Sequence, residues 1–287
     1  MNRSLVEYYF TCTPSLPIFI FENYPDVDLL TYVDSDFFFF SDPSFIVDNI
    51  RNNSITMTRH RFPLEYKYLE QSFGIYNVGW LTFRRDDEAL SCLHRWREQC
   101  IEWCYDRLEN GRFADQMYLD DWPNRYKNIG IIEQLGINVA PCNLANYNLT
   151  IRNGCIFIDE EPLICFHFFG LKSFFGFIFY LSLNRYGAHP TKTLLNYIYE
   201  PYLQSLTKIK YELRPLLLKA VAIKSTRRTL TQKMAPMRMS QDMRMFTNYL
   251  KRWCITTSAI LHRRFVVFLY GRIRFKFIPC GLRGLRS

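Results

Sequence analysis

After Tyr202 the sequence nearly runs out of acids. Residues 203 to 287 hold 19 Lys and Arg but only two carboxylates, Glu212 and Asp242, a net of +17. Residues 1 to 202 hold 17 basic and 25 acidic side chains, a net of −8, and the two parts sum to the chain's +9. The expected organisation is a mildly acidic globular domain over 1–202 and a basic tail over 203–287. Such a tail suits an anionic partner, either a membrane surface or a nucleic acid.

Other absences narrow the reading further. There is no CxxC pair among the nine cysteines, which are scattered through mostly apolar neighbourhoods. This argues against a zinc site and for buried thiols in a reducing cytosol. Asn2, Arg3 and Glu7 interrupt the opening residues, so no signal peptide is expected there. No internal repeat or low-complexity tract occurs. One apolar run, Leu163 to Leu183, has the length of a membrane span. However, Lys172 sits near its middle, where a lysine costs roughly 2.5–3.5 kcal/mol. A buried strand leading into an apolar helix is the expectation for this run.

What is present is apolar bulk: 48% hydrophobic and 17% aromatic residues, enough for a sizeable core. DLLTYV, residues 28 to 33, reads as a buried strand, and GIYNVGWLTF, residues 74 to 83, as another broken by Gly79. Asp86, Asp87 and Glu88 open a helix whose Leu90, Leu93, Trp96, Cys100 and Cys104 fall at helical spacing. ADQMYLDD, residues 114 to 121, reads as a short helix stopped by Pro123. Asn153-Gly154 reads as the turn of a hairpin. PLICFHF is a further buried strand ending at His167. Strands alternating with helices predict an α/β domain with a mainly parallel sheet. Amphipathic helical spacing continues into the basic tail.

Five places carry candidate chemistry. In TYVDSDFFFF, Asp34 and Asp36 follow a predicted strand, where ligands bind in open parallel sheets. Alternation lets residues i and i+2 point the same way, and two carboxylates on one side make a hard oxygen site for Mn²⁺ or Mg²⁺. The plainer reading is a pair of solvated loop aspartates. His167 ends another apolar strand and could join them; a hydrogen-bonded core histidine is the alternative. Gly170 and Lys172 follow it, a flexible backbone point and a cation suited to a phosphate. Asn77 and Gly79 interrupt an apolar strand, as a bulge would. Asp115 and Gln116 open a short helix, where Asp115 could simply be a cap.

In order along the chain, YVDSDFFFFSDP, YNVGW, FADQMYLDDWP and FHFFGLK resemble the nucleotide-diphospho-sugar transferases of the GT-A fold. The likeness is to glycosyltransferase family 8, in an uncharacterised bacterial branch, and it covers roughly residues 1 to 175. It implies a Rossmann-like α/β domain with a mixed, mainly parallel sheet flanked by helices. It implies that Asp34 and Asp36 bind Mn²⁺ and through it the donor diphosphate, with Asp34 also near the ribose, and that His167 is the third ligand. It assigns Gly170 and Lys172 to the phosphates, Asn77 and Gly79 to the sugar pocket, and Asp115 with Gln116, as catalytic residues, to the surroundings of the anomeric carbon; were the transfer inverting instead, Asp115 would be the candidate general base. The implied activity is transfer of a sugar, with retention of configuration, from a nucleotide donor to a saccharide or lipid-linked acceptor in surface polysaccharide synthesis. The setting would be cytoplasmic, peripheral on the inner face of the membrane.

Two departures qualify this. The family's motif places Pro-Trp after the lysine, where this chain has Ser173-Phe174. The family also has a β-α-β portion ahead of the Asp-x-Asp strand that holds the nucleotide base, whereas 33 residues precede Asp34 here. A domain truncated at its N-terminus is therefore expected. Two other functions stay open at this point: an inactive transferase fragment, and a protein that binds nucleic acid through Trp253, Phe265 and Tyr270 among the tail's arginines.

Overall fold

The computed structural model describes residues 3–44, 50, 52–174, 178–227 and 265–267. Two short helices open it, α1 (Leu5–Cys12) and α2 (Ser15–Asn23). Ser4 caps α1 reciprocally with Glu7, each side chain bonding the other's backbone N–H, which satisfies two otherwise orphaned donors. They pack against the long helix α3 (Asp87–Glu102).

The central sheet has the order β1 (Leu29–Val33), β4 (Tyr76–Arg84), β3 (Ile55–Arg59), β5 (Ile129–Ile131). The α/β class with a mixed sheet flanked by helices is the one expected. The balance of strand directions is not. Both β1–β4 and β3–β4 are antiparallel, and β3–β5 is the parallel pairing in this sheet. The reason is that β4 lies between two strands that both run opposite to it. Strand β1 is also less covered than DLLTYV suggested: it lies at the sheet edge, half-buried, with Thr31 exposed.

Helix α3 forms where its spacing predicts but ends at Glu102, short of Cys104, because the chain turns extended at Trp103. Asp86 caps it by accepting from the Ala89 N–H at 2.9 Å, while Ser54 donates to the other carboxylate oxygen at 2.7 Å. Its buried face is Ala89, Cys92, Leu93, Trp96 and Cys100, packed on Phe83, Leu81 and Trp122 of the main core. Full burial of a side chain such as Leu93 contributes ~1.5–3 kcal/mol. Pro123 does not stop the preceding helical turn, Met117–Asp121; it sits in the first turn of the next one, Trp122–Arg125. There its missing N–H would have had no partner anyway.

The hairpin at Asn153-Gly154 is present. It joins β6 (Leu149–Arg152) to β7 (Cys155–Ile158), with φ of 51° and 79° at the two turn residues. Two positive values are what a type I′ turn requires. Strand β8 (Glu161–Pro162) completes that sheet.

Leu163 to Leu183 departs from expectation. Strand β9 (Cys165–His167) pairs antiparallel with β2 (Phe37–Phe39), as PLICFHF anticipated. No helix follows. Gly170, at φ 74°, turns the chain, with the Leu171 N–H returning to the Phe168 carbonyl at 3.1 Å. The chain then forms β10 (Lys172–Phe174) and β11 (Ile178–Tyr180), which pair with each other. A run this rich in phenylalanine and isoleucine favours strands once a turn breaks it. No helix among the described residues is long and apolar enough to cross a membrane.

Helix α4 (Glu200–Arg227) starts in the core, with Tyr202 and Leu203 buried, and runs into the basic segment. There Leu206, Ile209 and Leu213 are exposed on one face. A short strand, β12 (Phe265–Val267), adds to β11. Trp253 and Tyr270 lie outside the described residues. Six of the described cysteines are free and five of those buried, in line with the thiol reading; Cys155 is the exception and forms a disulfide.

Candidate metal and donor site

The two aspartates sit where the chain changes sheets. Strand β1 runs along β4 to Val33, and the Asp34 N–H extends that ladder to the Gly79 carbonyl at 3.1 Å. A turn follows, closed by the Phe37 N–H on the Asp34 carbonyl. The chain then enters β2, paired with β9 so that Phe37 stands opposite His167. The Phe168 N–H donates to the Asp36 carbonyl at 2.9 Å, pinning the turn to β9. Residues 131 positions apart in sequence, Asp36 and His167, meet through this register.

The four phenylalanines hold the crossing in place. Phe37 is buried and stacks on the His167 ring at 4.4 Å. Phe38 packs edge-on against Phe40 and Tyr202, and Tyr202 in turn stacks on Phe168 at 3.8 Å. Phe39 leans on Trp80.

His167 Nε2 lies 3.1 Å from Asp36 Oδ1 and 3.6 Å from Asp34 Oδ2. One ligand atom from each of the three residues falls within 4.8 Å of the others, a group that could hold a metal ion. Adjacent ligands of an octahedral ion at about 2.1 Å stand about 3 Å apart, so two carboxylate oxygens and an imidazole at these spacings suit a hard divalent cation. The Asp34 and Asp36 side chains are 33% and 39% exposed, open enough for a ligand, while His167 is buried at 5%.

Electrostatics distinguish the two carboxylates. Burial pushes Asp34 up; His167 and the Tyr32 phenol pull it down without cancelling that, and the Asp36 charge adds to the rise. Burial also pushes Asp36 up, but the His167 hydrogen bond and charge outweigh it and leave Asp36 below its ordinary value. A cation bound between them would remove the mutual repulsion.

Gly79 makes room for the histidine. A methyl group there would lie 2.9 Å from His167 Cε1 and Nδ1 and 2.5 Å from Asn77 Oδ1. The bulge anticipated at Asn77 and Gly79 is present: pairing of β4 with β3 slips between Met57 and Thr58, so that Thr58 faces Asn77. Asn77 is bonded on both ends. Its oxygen accepts from the Gly79 N–H and from Asn138, and its amide meets His60 and Gln116. The Gln116 oxygen also accepts from the Val78 N–H, and its amide donates to the Phe73 carbonyl.

Asp115 does not cap the helical turn after it, which has no side-chain cap. Trp96 donates to its carbonyl at 2.7 Å, and its side chain is buried within hydrogen-bonding reach of Thr13. Burial pushes its carboxyl up to about 7; Thr13 opposes this, and the Asp34 charge adds to it. A folded value above the unfolded one of about 3.9 means that the folded protein binds the extra proton between those values. Stability contributed here is present at low pH and lost as pH rises from about 4 towards 7. Asp115→Asn is expected to flatten this slope, so that its melting temperature gains on wild type at pH 8 relative to pH 5. The same slope in both proteins would show that Asp115 does not titrate in this range.

Gly170 and Lys172 flank the turn directly after β9. Ser182 Oγ donates to the Gly170 carbonyl at 2.8 Å, and Lys172 opens β10 with its side chain exposed. Sequence reading missed four contributors around the site: Tyr32, His60, Asn138 and Asn143. Alternation in TYVDSD could have found Tyr32, which shares a strand face with Asp34 and donates to its Oδ1 at 2.8 Å. His60 could not have been found this way. Its Nδ1 meets the Gly74 carbonyl, and burial holds it down at about 4, so it is a neutral ring whose Nε2 accepts from Asn77. Asn143 donates to the His60 and Asn138 carbonyls.

No family model matches the chain. It is 29% identical over 213 residues to the uncharacterized protein YfnD of Bacillus subtilis (strain 168), covering 72% of this chain and 67% of that one. It is also 29% identical over 224 residues to the uncharacterized protein YfnF of the same organism, covering 75% and 72%. Among solved structures, it is similar at a TM-score of 0.41 and 13% identity to a glycosyltransferase involved in the glycosylation of the major capsid of PBCV-1. That match covers 60% of this chain and 74% of the other.

Proposed function

We propose that this chain is a metal-dependent glycosyltransferase that moves a sugar from a nucleoside-diphosphate donor to a saccharide or lipid-linked acceptor. The observation that carries the reading is the convergence of Asp34, Asp36 and His167 on one point at the end of β1, with two of the three open to solvent. The motif resemblance of the sequence supports the same reading.

Asp34, Asp36 and His167 would hold Mn²⁺ or Mg²⁺. Such an ion, when bound, supplies positive charge and Lewis acidity at a leaving diphosphate. Gly170 and Lys172 follow His167 by three and five residues and are assigned to the phosphates, Lys172 adding charge where the leaving group gains it. Asn77 and Gly79 are assigned to the wall beside His167. Asp115 and Gln116 are assigned a supporting part, because both are engaged inside the protein: Gln116 with β4 and the Phe73 carbonyl, Asp115 with Thr13 and Trp96. With Asp115 buried, no exposed carboxylate is assigned as general base. That suits retention of configuration, since inversion needs a base to activate the acceptor.

The test is release of nucleoside diphosphate from a panel of nucleotide sugars, with Mn²⁺ and with chelator. Turnover of at least one donor, abolished by chelation, is the expected result; no binding or hydrolysis of any donor would overturn the proposal. An acceptor arm uses vesicles with and without anionic lipid. The exposed Leu206, Ile209 and Leu213 beside Lys210 and Arg214 favour a membrane-held acceptor. Co-sedimentation with anionic vesicles is expected, and its absence would remove the membrane from the reading.

A further inference from the structure

We propose that Tyr32 is a positioning residue of the metal site: its phenol holds one oxygen of Asp34, so that the other is presented to the cation. This rests on the reading of Asp34, Asp36 and His167 as a metal site and adds a residue that this reading does not contain.

The geometry divides the Asp34 carboxylate between two tasks. Oδ1 accepts from the Tyr32 hydroxyl at 2.8 Å, and Oδ2 faces His167 Nε2 at 3.6 Å. The terminal torsion of an aspartate is broad and roughly two-fold, so its carboxylate has little orientation of its own. Asp34 is a third exposed and would otherwise turn freely between the cation and water. Its backbone is fixed by the bond from its N–H to the Gly79 carbonyl, which leaves the side-chain torsion as the free variable. The Tyr32 phenol removes that freedom.

Tyr32 is itself held. Its ring packs against the main core, and its partner across the sheet is the fully buried Leu81. Beyond the phenol, Thr13 lies within hydrogen-bonding reach of both Tyr32 and Asp115. The link therefore runs from the end of α1 through Thr13 and Tyr32 to a ligand oxygen. Thr31, the neighbouring residue, is bonded instead to Thr82 Oγ1 at 3.0 Å, on the other face of β1. It supplies a matched control: a hydroxyl on the same strand, bonded to a partner that is no part of the site.

Groups that orient metal ligands typically change metal affinity by about 10–100-fold when removed. The experiment titrates Mn²⁺ into the full chain and reads free ion by electron paramagnetic resonance, for wild type, Tyr32→Phe, Thr31→Val and Asp36→Ala. Tyr32→Phe keeps the ring and its packing. Its Mn²⁺ dissociation constant is expected to rise about tenfold, with Thr31→Val within about twofold of wild type and the metal-free melting temperatures of the two variants alike. The effect of Tyr32→Phe should also shrink in an Asp34→Ala background, because it acts through that carboxylate. Unchanged affinity in Tyr32→Phe, or equal losses in Tyr32→Phe and Thr31→Val, would overturn the proposal while leaving the metal site standing. A wild-type chain that binds Mn²⁺ no better than Asp36→Ala would overturn the metal site and this inference together.

Discussion

Asp36→Ala is expected to remove Mn²⁺ binding and to lower metal-dependent release of nucleoside diphosphate by at least about 100-fold. Metal stabilisation of developing charge is worth several kcal/mol, and each 1.36 kcal/mol is tenfold in rate. Asp36 is the better target of the pair. It is the carboxylate nearer His167, at 3.1 Å, and the one that His167 already holds in its charged form. Removing it takes one ligand and also leaves the buried Nε2 of a second ligand without its closest partner. Isothermal titration of Mn²⁺ and a donor hydrolysis assay check the two halves separately. A variant that binds Mn²⁺ and turns over donor like wild type would end the assignment of this site.

Gly79→Ala is expected to cost about 1–3 kcal/mol of stability, the usual range for overpacking, and to weaken Mn²⁺ binding as well. The added carbon would stand 2.5 Å from Asn77 Oδ1 and 2.9 Å from two atoms of the His167 ring. Neither neighbour can yield cheaply. Asn77 is held by Gly79, Asn138, His60 and Gln116 together, and His167 is stacked on Phe37, which is paired opposite it across β2 and β9. Either the ring shifts, and the ligand set is spoiled, or the bulge opens. Chemical denaturation and Mn²⁺ titration read these outcomes. Wild-type values in both would show that the site tolerates a side chain here and that the close approach of Gly79 has no role in it.

Much of the local structure was legible because it depends on short-range rules. The acidic first turn and the Leu93, Trp96, Cys100 spacing specified α3, and Asn153-Gly154 specified its hairpin. Alternation in TYVDSD suggested that Asp34 and Asp36 share a side, but β1 ends at Val33, and the two are brought together by the turn that the Phe37 N–H closes on the Asp34 carbonyl. Two readings failed for reasons of context. Apolar residues in Leu163 to Leu183 could serve a strand or a helix, and the choice was made by the turn at Gly170 and by the pairing of β10 with β11. Strand direction was likewise open, since periodicity says which face is buried and nothing about which neighbour a strand will take. Asp115 stood open between a cap and a place beside the anomeric carbon; packing with Trp96 and Thr13 around it buries it and raises its carboxyl to about 7.

By itself, the sequence determined the division of charge at residue 202, the place of α3 and of the Asn153-Gly154 hairpin, and the candidate ligand types in order along the chain. Only the tertiary structure decided that three of those candidates, Asp34, Asp36 and His167, come together in one cluster. The register of β2 against β9 brings His167 to Asp36, and a one-residue slip would turn the imidazole to the opposite face. The gap left by Gly79, the phenol of Tyr32 and the stacking of Phe37 then fix the orientation of the ligands. Long-range pairing of this kind is an outcome of packing the whole core, and no short window of residues encodes it.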